Sequence, residues 1–205
     1  MDTSAFRVYL RALESDDYRT THPWRLDEEI WANVVGPKYF VSMEYEKKWV
    51  SDTILNPGNS LKLAVCLKKD HKHIGLVSLT DIDRSNGVAR CGILIGEKSL
   101  WGKGFGAEAI LLMLHHGFYT LGLTRIEARQ LLFNQASVRL FEKCGFRVEG
   151  VLRKAVFKDG RHQDLNLMAI LREEFDKLLL EKGLADETQQ STVQDEYMKL
   201  ELHKC

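Results

Sequence analysis

The chain has 205 residues, of which 44% are apolar and 28% are charged, the balance of a soluble globular protein. Basic and acidic residues number 29 each, and the zero net charge argues against a protein that binds nucleic acid through a broad basic surface. No apolar run reaches the roughly 18 residues of a membrane span, and the first residues lack the layout of a secretion signal. We therefore expect a cytoplasmic protein with no membrane partner.

The four cysteines lie too far apart in the sequence for a CxxC metal or redox motif. They are Cys66, Cys91, Cys144 and Cys205. We expect the first three to be small core residues and the last to be a thiol in a polar tail. The sequence indicates no metal site.

A short strand and three helices are predicted before residue 60, at residues 7–11, 15–22, 25–35 and 42–55. Ser15 and the two aspartates after it supply a cap and an acidic first turn for the first helix. We expect this helix to end before Pro23, because proline disfavours helical backbone in the residue that precedes it.

The pattern then changes to a period of two, which is typical of strands. Three strands are predicted at residues 61–67, 73–83 and 88–95, with an Asn-Gly hairpin signal before the third. A long helix, a strand, a short helix, a hairpin and a last helix follow, at residues 104–121, 125–132, 134–143, 147–157, 162–171 and 172–182. This order predicts one α/β (α+β) domain over residues 1–182, with a mixed, mostly antiparallel sheet of about seven strands flanked by helices. Residues 183–205 are expected to form a polar appendage.

A glycine-rich turn stands between the third strand of this series and the long helix. It contains Gly102, Gly104 and Gly106. Glycines allow positive φ and close backbone approach, and a helix N-terminus attracts anions, so the turn suits a pyrophosphate. A tight strand-to-helix turn is the alternative. The spacing matches neither a P-loop nor a GxGxxG dinucleotide fingerprint.

Two motifs carry a family resemblance. The run from Trp101 to Ala109, Trp-Gly-Lys-Gly-Phe-Gly-Ala-Glu-Ala, resembles the acyl-CoA signature of the GNAT superfamily of N-acyltransferases, although Trp101 stands where Arg or Gln is usual. The run from Asn134 to Phe146 resembles the Asn-x-x-Ser … Phe-x-Lys-x-Gly-Phe element of one branch, that of ribosomal-protein Nα-acetyltransferases and spermidine N-acetyltransferases. The resemblance covers roughly residues 5–182. It implies the GNAT fold, acetyl-CoA as cosubstrate, and direct attack of an amine on the thioester.

The resemblance also implies roles for particular residues. Acetyl-CoA is expected to contact Ile95, Trp101, Gly102, Lys103, Gly104, Phe105, Gly106 and Asn134. The backbone of residues 95–97 is expected to hold the thioester carbonyl. Glu97 is a candidate general base, with a solvated turn residue as the alternative. Ser137 is a candidate general acid, with a capping role as the alternative, because Phe141 occupies the position of the tyrosine acid of many members and has no hydroxyl.

The acceptor is harder to predict. Glu28, Glu29 and Glu44 are candidates for attracting a cationic amine, with ordinary helix surface as the alternative. Trp24, Trp31 and Trp49 are candidates for a pocket wall or for the core.

Ser137 together with Phe141 favours a protein or peptide N-terminus as the acceptor. A small amine, either a polyamine or an aminoglycoside, is the alternative. A non-catalytic acyl-CoA-binding regulatory module also stays open, as does a homodimer.

Overall fold

The structure, a computed structural model, describes residues 1–186. Its seven strands are β1 (Val8–Ala12), β2 (Leu61–Leu67), β3 (His73–Asp83), β4 (Val88–Ile95), β5 (Arg125–Leu131), β6 (Arg147–Lys158) and β7 (Arg161–Leu171). Its helices are α1 (Tyr18–Leu26), α2 (Glu28–Ala32), α3 (Met43–Leu55), α4 (Phe105–His115), α5 (Gln135–Lys143) and α6 (Arg172–Glu181). The predicted strands are confirmed to within a residue at each end. The predicted long helix ends in a π-helical turn, His116–Thr120.

The strands form one sheet in the order β1-β2-β3-β4-β5-β7-β6. Neighbours are antiparallel except β4 and β5, which are parallel. This pair is joined only between residues 88–90 and 125–127, whereas β4 continues to Ile95 and β5 to Leu131. The two strands therefore separate and leave an opening in the middle of the sheet.

The main core lies between the sheet and helices α4 and α6. Phe118 and Phe175 meet there with ring centroids 5.4 Å apart. Cys66, Cys91 and Cys144 are buried free thiols, which confirms their predicted place. Burial raises the pKa of Cys144 to about 12, so this thiol stays protonated at neutral pH.

The prediction that the first helix ends before Pro23 is wrong, because α1 continues through it to Leu26. Proline cannot donate to the carbonyl four residues earlier, that of Arg19. Both residues are exposed, so water can satisfy that carbonyl. Thr21 and Trp24 are buried, and their packing holds the helix together across the proline.

The single helix predicted for residues 25–35 is also wrong. Asp27 interrupts it with extended backbone and caps α2, since its Oδ1 accepts a hydrogen bond from the Ile30 amide at 3.1 Å. Aspartate is a strong N-cap, and here that preference outweighs the continuous helical pattern.

The predicted appendage falls mostly outside the described residues, as does Cys205. The described beginning of this segment, residues 183–186, remains in contact with the domain. The Asp2 amide donates to the Leu184 carbonyl at 2.8 Å, and Leu184 and Ala185 pack against the core. Within residues 1–186, no helix is both long and apolar enough to span a membrane.

Candidate active site

The glycine-rich turn forms one end of a cavity of about 430 Å³. Gly104 is the N-cap of α4 with φ +91°, and Gly102 has φ +72°, so both positions require glycine. The amides of Phe105 and Gly106 stand in the first turn of α4, where no intrahelical carbonyl can accept from them. These amides and the positive end of the helix suit a pyrophosphate.

Arg7 on the approach to β1 holds this turn in place. Its guanidinium donates to the Lys103 carbonyl at 2.8 Å and to Glu108 Oε1 at 2.7 Å, and lies over the Phe105 ring at 4.1 Å. This contact could not be predicted from a local pattern, because Arg7 and Glu108 are 101 residues apart in the chain. Of the predicted cofactor residues, Lys103 contributes through its backbone here and does not line the cavity in the described structure.

The wall opposite the turn is the end of β4. The Trp101 indole donates to the Ile95 carbonyl at 2.7 Å, and both residues line the cavity. The amides of Gly96 and Glu97 donate to the Ile74 carbonyl at 2.9 and 3.3 Å, so they are already engaged. Beyond Arg90, alternate backbone groups of β4 face the opening instead of a neighbouring strand, and these can serve the thioester.

Helix α5 closes the cavity. Asn134 caps it by accepting from the Ser137 amide at 3.0 Å, and its Nδ2 donates to the Asn33 carbonyl at 3.2 Å. Arg139 and Lys143, one turn apart on α5, also line this cavity, and no acidic residue is among its described lining residues. The cavity therefore favours an anionic ligand. Sequence reasoning missed this pair, although its i, i+4 spacing was visible.

A second cavity of about 650 Å³ lies between the sheet and helices α1 to α3. Trp24, Trp31 and Trp49 line it, so the three tryptophans serve as a pocket wall. Trp24 can lie where it does only because residue 96 is glycine. A Cβ there would stand 2.0 Å from the indole ring.

Glu46 of α3 is fully buried at the edge of this second cavity. Its Oε1 accepts from the Thr21 hydroxyl at 2.7 Å, and its Oε2 accepts from Arg25 Nε at 3.0 Å. A buried carboxylate needs such partners, and Arg25 is itself held between Trp31 and Trp49. Sequence reasoning missed Glu46, which the helical pattern places among several exposed acidic residues.

The two cavities share a wall at the point where β4 and β5 separate. Its residues are Asn33, Val34, Ile93, Leu94 and Ser137. Ser137 is half-buried, and its hydroxyl makes no hydrogen bond within residues 1–186. A group held in one cavity can therefore meet a group held in the other beside this hydroxyl.

The remaining predicted site residues lie elsewhere. Glu97 is 27% exposed and pairs with Lys72 at 2.7 Å. Glu28 pairs with Lys38 at 2.8 Å, Glu29 pairs with Lys98 at 2.9 Å, and Glu44 is exposed on α3. None of these four residues lines either of the cavities described above.

Comparison with known proteins agrees with this geometry. Residues 7–147 match the acetyltransferase (GNAT) domain family. Spermidine N(1)-acetyltransferase of Vibrio cholerae is 31% identical over 172 residues, which cover 82% of this chain and 95% of that protein. Human alpha/beta-tubulin-N-acetyltransferase 9 is 38% identical over 161 residues, which cover 76% and 71%. A crystal structure of the Vibrio cholerae spermidine enzyme in complex with CoA and spermine superposes with a TM-score of 0.75, at 30% identity, over 82% of this chain and 98% of that one.

The chain belongs to the GNAT acetyltransferase family. It is an N-acetyltransferase, and acetyl-CoA is its cosubstrate. The predicted fold is confirmed, and the alternative of a non-catalytic module is not supported.

Proposed function

We propose that the protein acetylates the primary amino group of a small molecule held in the second cavity, hereafter the acceptor cavity. The observation that carries this proposal is the shared wall. Acetyl-CoA in the first cavity and an amine in the acceptor cavity would meet beside Ser137, where the sheet opens. The volume of about 650 Å³ suits a small molecule, and the spermidine enzymes among the relatives act on small amines.

In this reaction the main task of the protein is to position the amine against the thioester. The amine nitrogen forms a bond to the thioester carbon, and the carbon–sulfur bond breaks. The ammonium loses two protons in total, the thiolate takes up one, and the other is released to solvent. An alkylamine has a pKa of about 10.4, so most of it is protonated at neutral pH and must lose a proton before attack. Holding both reactants at one wall can supply about 7–11 kcal/mol of the barrier reduction.

Ser137 is our candidate for protonating the thiolate. Its position on the shared wall and its unengaged hydroxyl support this role. Phe141 lies beside it in the acceptor cavity with no proton to give. The role of Glu97 as base stays a prediction, and its pairing with Lys72 outside both cavities gives it no direct path to the amine.

The first cavity is called the acetyl-CoA cavity from here on. We assign the pyrophosphate of acetyl-CoA to the turn at Gly102 and Gly104, and we assign the balancing of its phosphate charge to Arg139 and Lys143. These groups match the charge of the cosubstrate. Asn134 is placed to meet the pantetheine arm, since it lines the same cavity while it caps α5.

A peptide or protein N-terminus is the second candidate acceptor. The tubulin N-acetyltransferase among the relatives favours it. Thiol release from acetyl-CoA, measured with small amines and with N-terminal peptides at pH 7 to 9, separates the two candidates, and mass spectrometry identifies the product. We expect release with small amines. Release with peptides alone would transfer the proposal to the second candidate, and no release with any amine would refute both.

A further inference from the structure

The acceptor cavity carries an excess of positive charge. Four of its described lining residues are cationic, namely Arg25, Lys62, Arg90 and Arg129, and Glu46 is the acidic one among them. Glu46 is already held by Thr21 and Arg25. A second ammonium group on an acceptor would therefore enter a region of like charge, which is unfavourable.

Two of these cations have no carboxylate partner within residues 1–186. The side chain of Arg129 on β5 makes no hydrogen bond or ion pair there, and its Nε is buried. Lys62 lies over the Trp49 ring at 5.1 Å, and burial together with the nearby Arg25 lowers its pKa. Both cations would gain from an anion in the cavity.

Other buried donors converge on the same space. The buried side-chain polar atoms that lack a partner in the described structure belong to Trp31, Arg90, Arg129 and Gln130, all of which line the acceptor cavity. Gln130 is only 3% exposed, yet neither Nε2 nor Oε1 of its side-chain amide is hydrogen-bonded within the described residues. Buried polar groups in folded proteins are nearly always paired, and these groups have no protein partner, so they are available to hydrogen-bond a polar ligand in the cavity.

The register of the strands explains why several of these groups lie on the same face of the sheet. Lys62, Ser78 and Gly92 are register partners across β2, β3 and β4, so they lie side by side on one face. Arg90 lies on that face, two residues before Gly92, and pairs in register with Glu127 of β5. On β5, Arg129 follows Glu127 by two residues and therefore lies on the same face. Gly92 has no side chain, which leaves room beside Arg129.

On the basis of the proposed function, we infer that the acceptor is a small amine that also carries a carboxylate, and that Arg129 binds this carboxylate. The planar guanidinium can donate two parallel hydrogen bonds to a carboxylate, and Lys62 and Gln130 supply further donors. Arg129 is then a specificity-determining residue that selects an anionic amine and disfavours a polyamine.

The test compares acceptors that differ only at the far end of the chain. Pentylamine, cadaverine and δ-aminovalerate have a methyl, an ammonium and a carboxylate there, and shorter and longer ω-amino acids vary the distance. We expect at least one ω-amino acid to exceed the diamine and the alkylamine of matched length by about 10- to 100-fold in kcat/KM, the range of a hydrogen-bonded charge. Phosphoethanolamine and phosphopropanolamine form a separate arm, which tests whether a phosphate serves as well as the carboxylate.

Substitutions at two arginines of β5 test whether Arg129 causes the preference for an ω-amino acid. Arg129→Gln should abolish the advantage of the ω-amino acid, mainly through KM, and Arg129→Lys should restore part of it. Arg125→Gln is the matched control, because Arg125 lies on the same strand but is held by Glu127 and Glu149 outside the cavity. Circular dichroism and acetyl-CoA affinity verify that each variant is folded.

The outcomes separate this inference from the proposed function. Thiol release that favours cadaverine, or is indifferent to the far end, overturns the inference and keeps the function. The inference also fails if Arg129→Gln retains the full advantage, or if phosphate amines alone are preferred. If no amine releases thiol, the proposed function itself is wrong.

Discussion

Replacing Gly96 by alanine tests whether Trp24 shapes the acceptor cavity. Gly96 has no positive φ, so an alanine backbone fits there, and any cost comes from the added methyl. That methyl would lie 2.0 Å from Trp24 Cε2, so the ring must retreat by about 1.4 Å to regain an ordinary contact of 3.4 Å. Trp24 is buried and packs edge-to-face on His73 at 5.2 Å, which limits its retreat.

The size of the effect follows from this overlap. Overpacking of a buried site costs about 1–3 kcal/mol. For a chain of this length, that lowers the melting temperature by about 2–12 °C. Because the displaced ring is a wall of the acceptor cavity and not of the acetyl-CoA cavity, kcat/KM for the acceptor should fall by about 10- to 100-fold while KM for acetyl-CoA stays the same. Thermal denaturation and steady-state thiol release measure the two effects.

Gly150→Ala is the matched control. A Cβ at residue 150 meets no heavy atom within 4 Å, and the residue has no positive φ. Its stability should change by no more than about 0.5 kcal/mol, with the kinetics unaltered. If Gly96→Ala is as stable and as active as this control, Trp24 does not define the cavity as described.

Three further expectations concern the proposed chemistry and the effect of pH. Ser137→Ala should lower kcat by about 100-fold without changing acetyl-CoA affinity, and the deficit should shrink above the thiol pKa of about 8.5; a pH-independent deficit would argue against an acid. Arg139→Gln combined with Lys143→Gln should weaken acetyl-CoA binding by at least about tenfold in calorimetry and spare KM for the acceptor; equal losses for both substrates would count against the assignment. Burial lowers the pKa of three histidines, so the unfolded chain takes up protons first, and the melting temperature should fall as the pH drops below about 6.5; a flat profile between pH 8 and 5.5 would contradict this. These histidines are His73, His115 and His116.

Features set by neighbouring residues could be predicted from the sequence. Alternation of apolar residues located the strands. Positive φ was considered for Gly102, Gly104 and Gly106, and the structure has it at the first two, whereas Gly106 lies within α4 without it. Each of these depends on a few adjacent residues, so a local pattern contains the information.

Features set by packing could not be predicted. Whether Pro23 ends α1 depends on which face of the helix is exposed, and this is decided by the tertiary structure. Arg7 and Glu108 come together because β1 lies beside α4, which the strand order determines. Glu46 differs from Glu44 only in the direction it faces, and a single sequence shows no such direction.

The two halves of the site are encoded differently, and this explains why the cosubstrate was easier to predict than the acceptor. Most of the acetyl-CoA cavity comes from two short stretches with recognisable motifs, within residues 93–107 and 134–143. The acceptor cavity takes its walls from four helices, α1, α2, α3 and α5, and from strands across the sheet. Searching for acidic residues on the N-terminal helices pointed to Glu28, Glu29 and Glu44, but these pair with surface lysines or face solvent. The charge of the acceptor cavity is set by its own lining side chains, and among those described the four cations outnumber the single carboxylate.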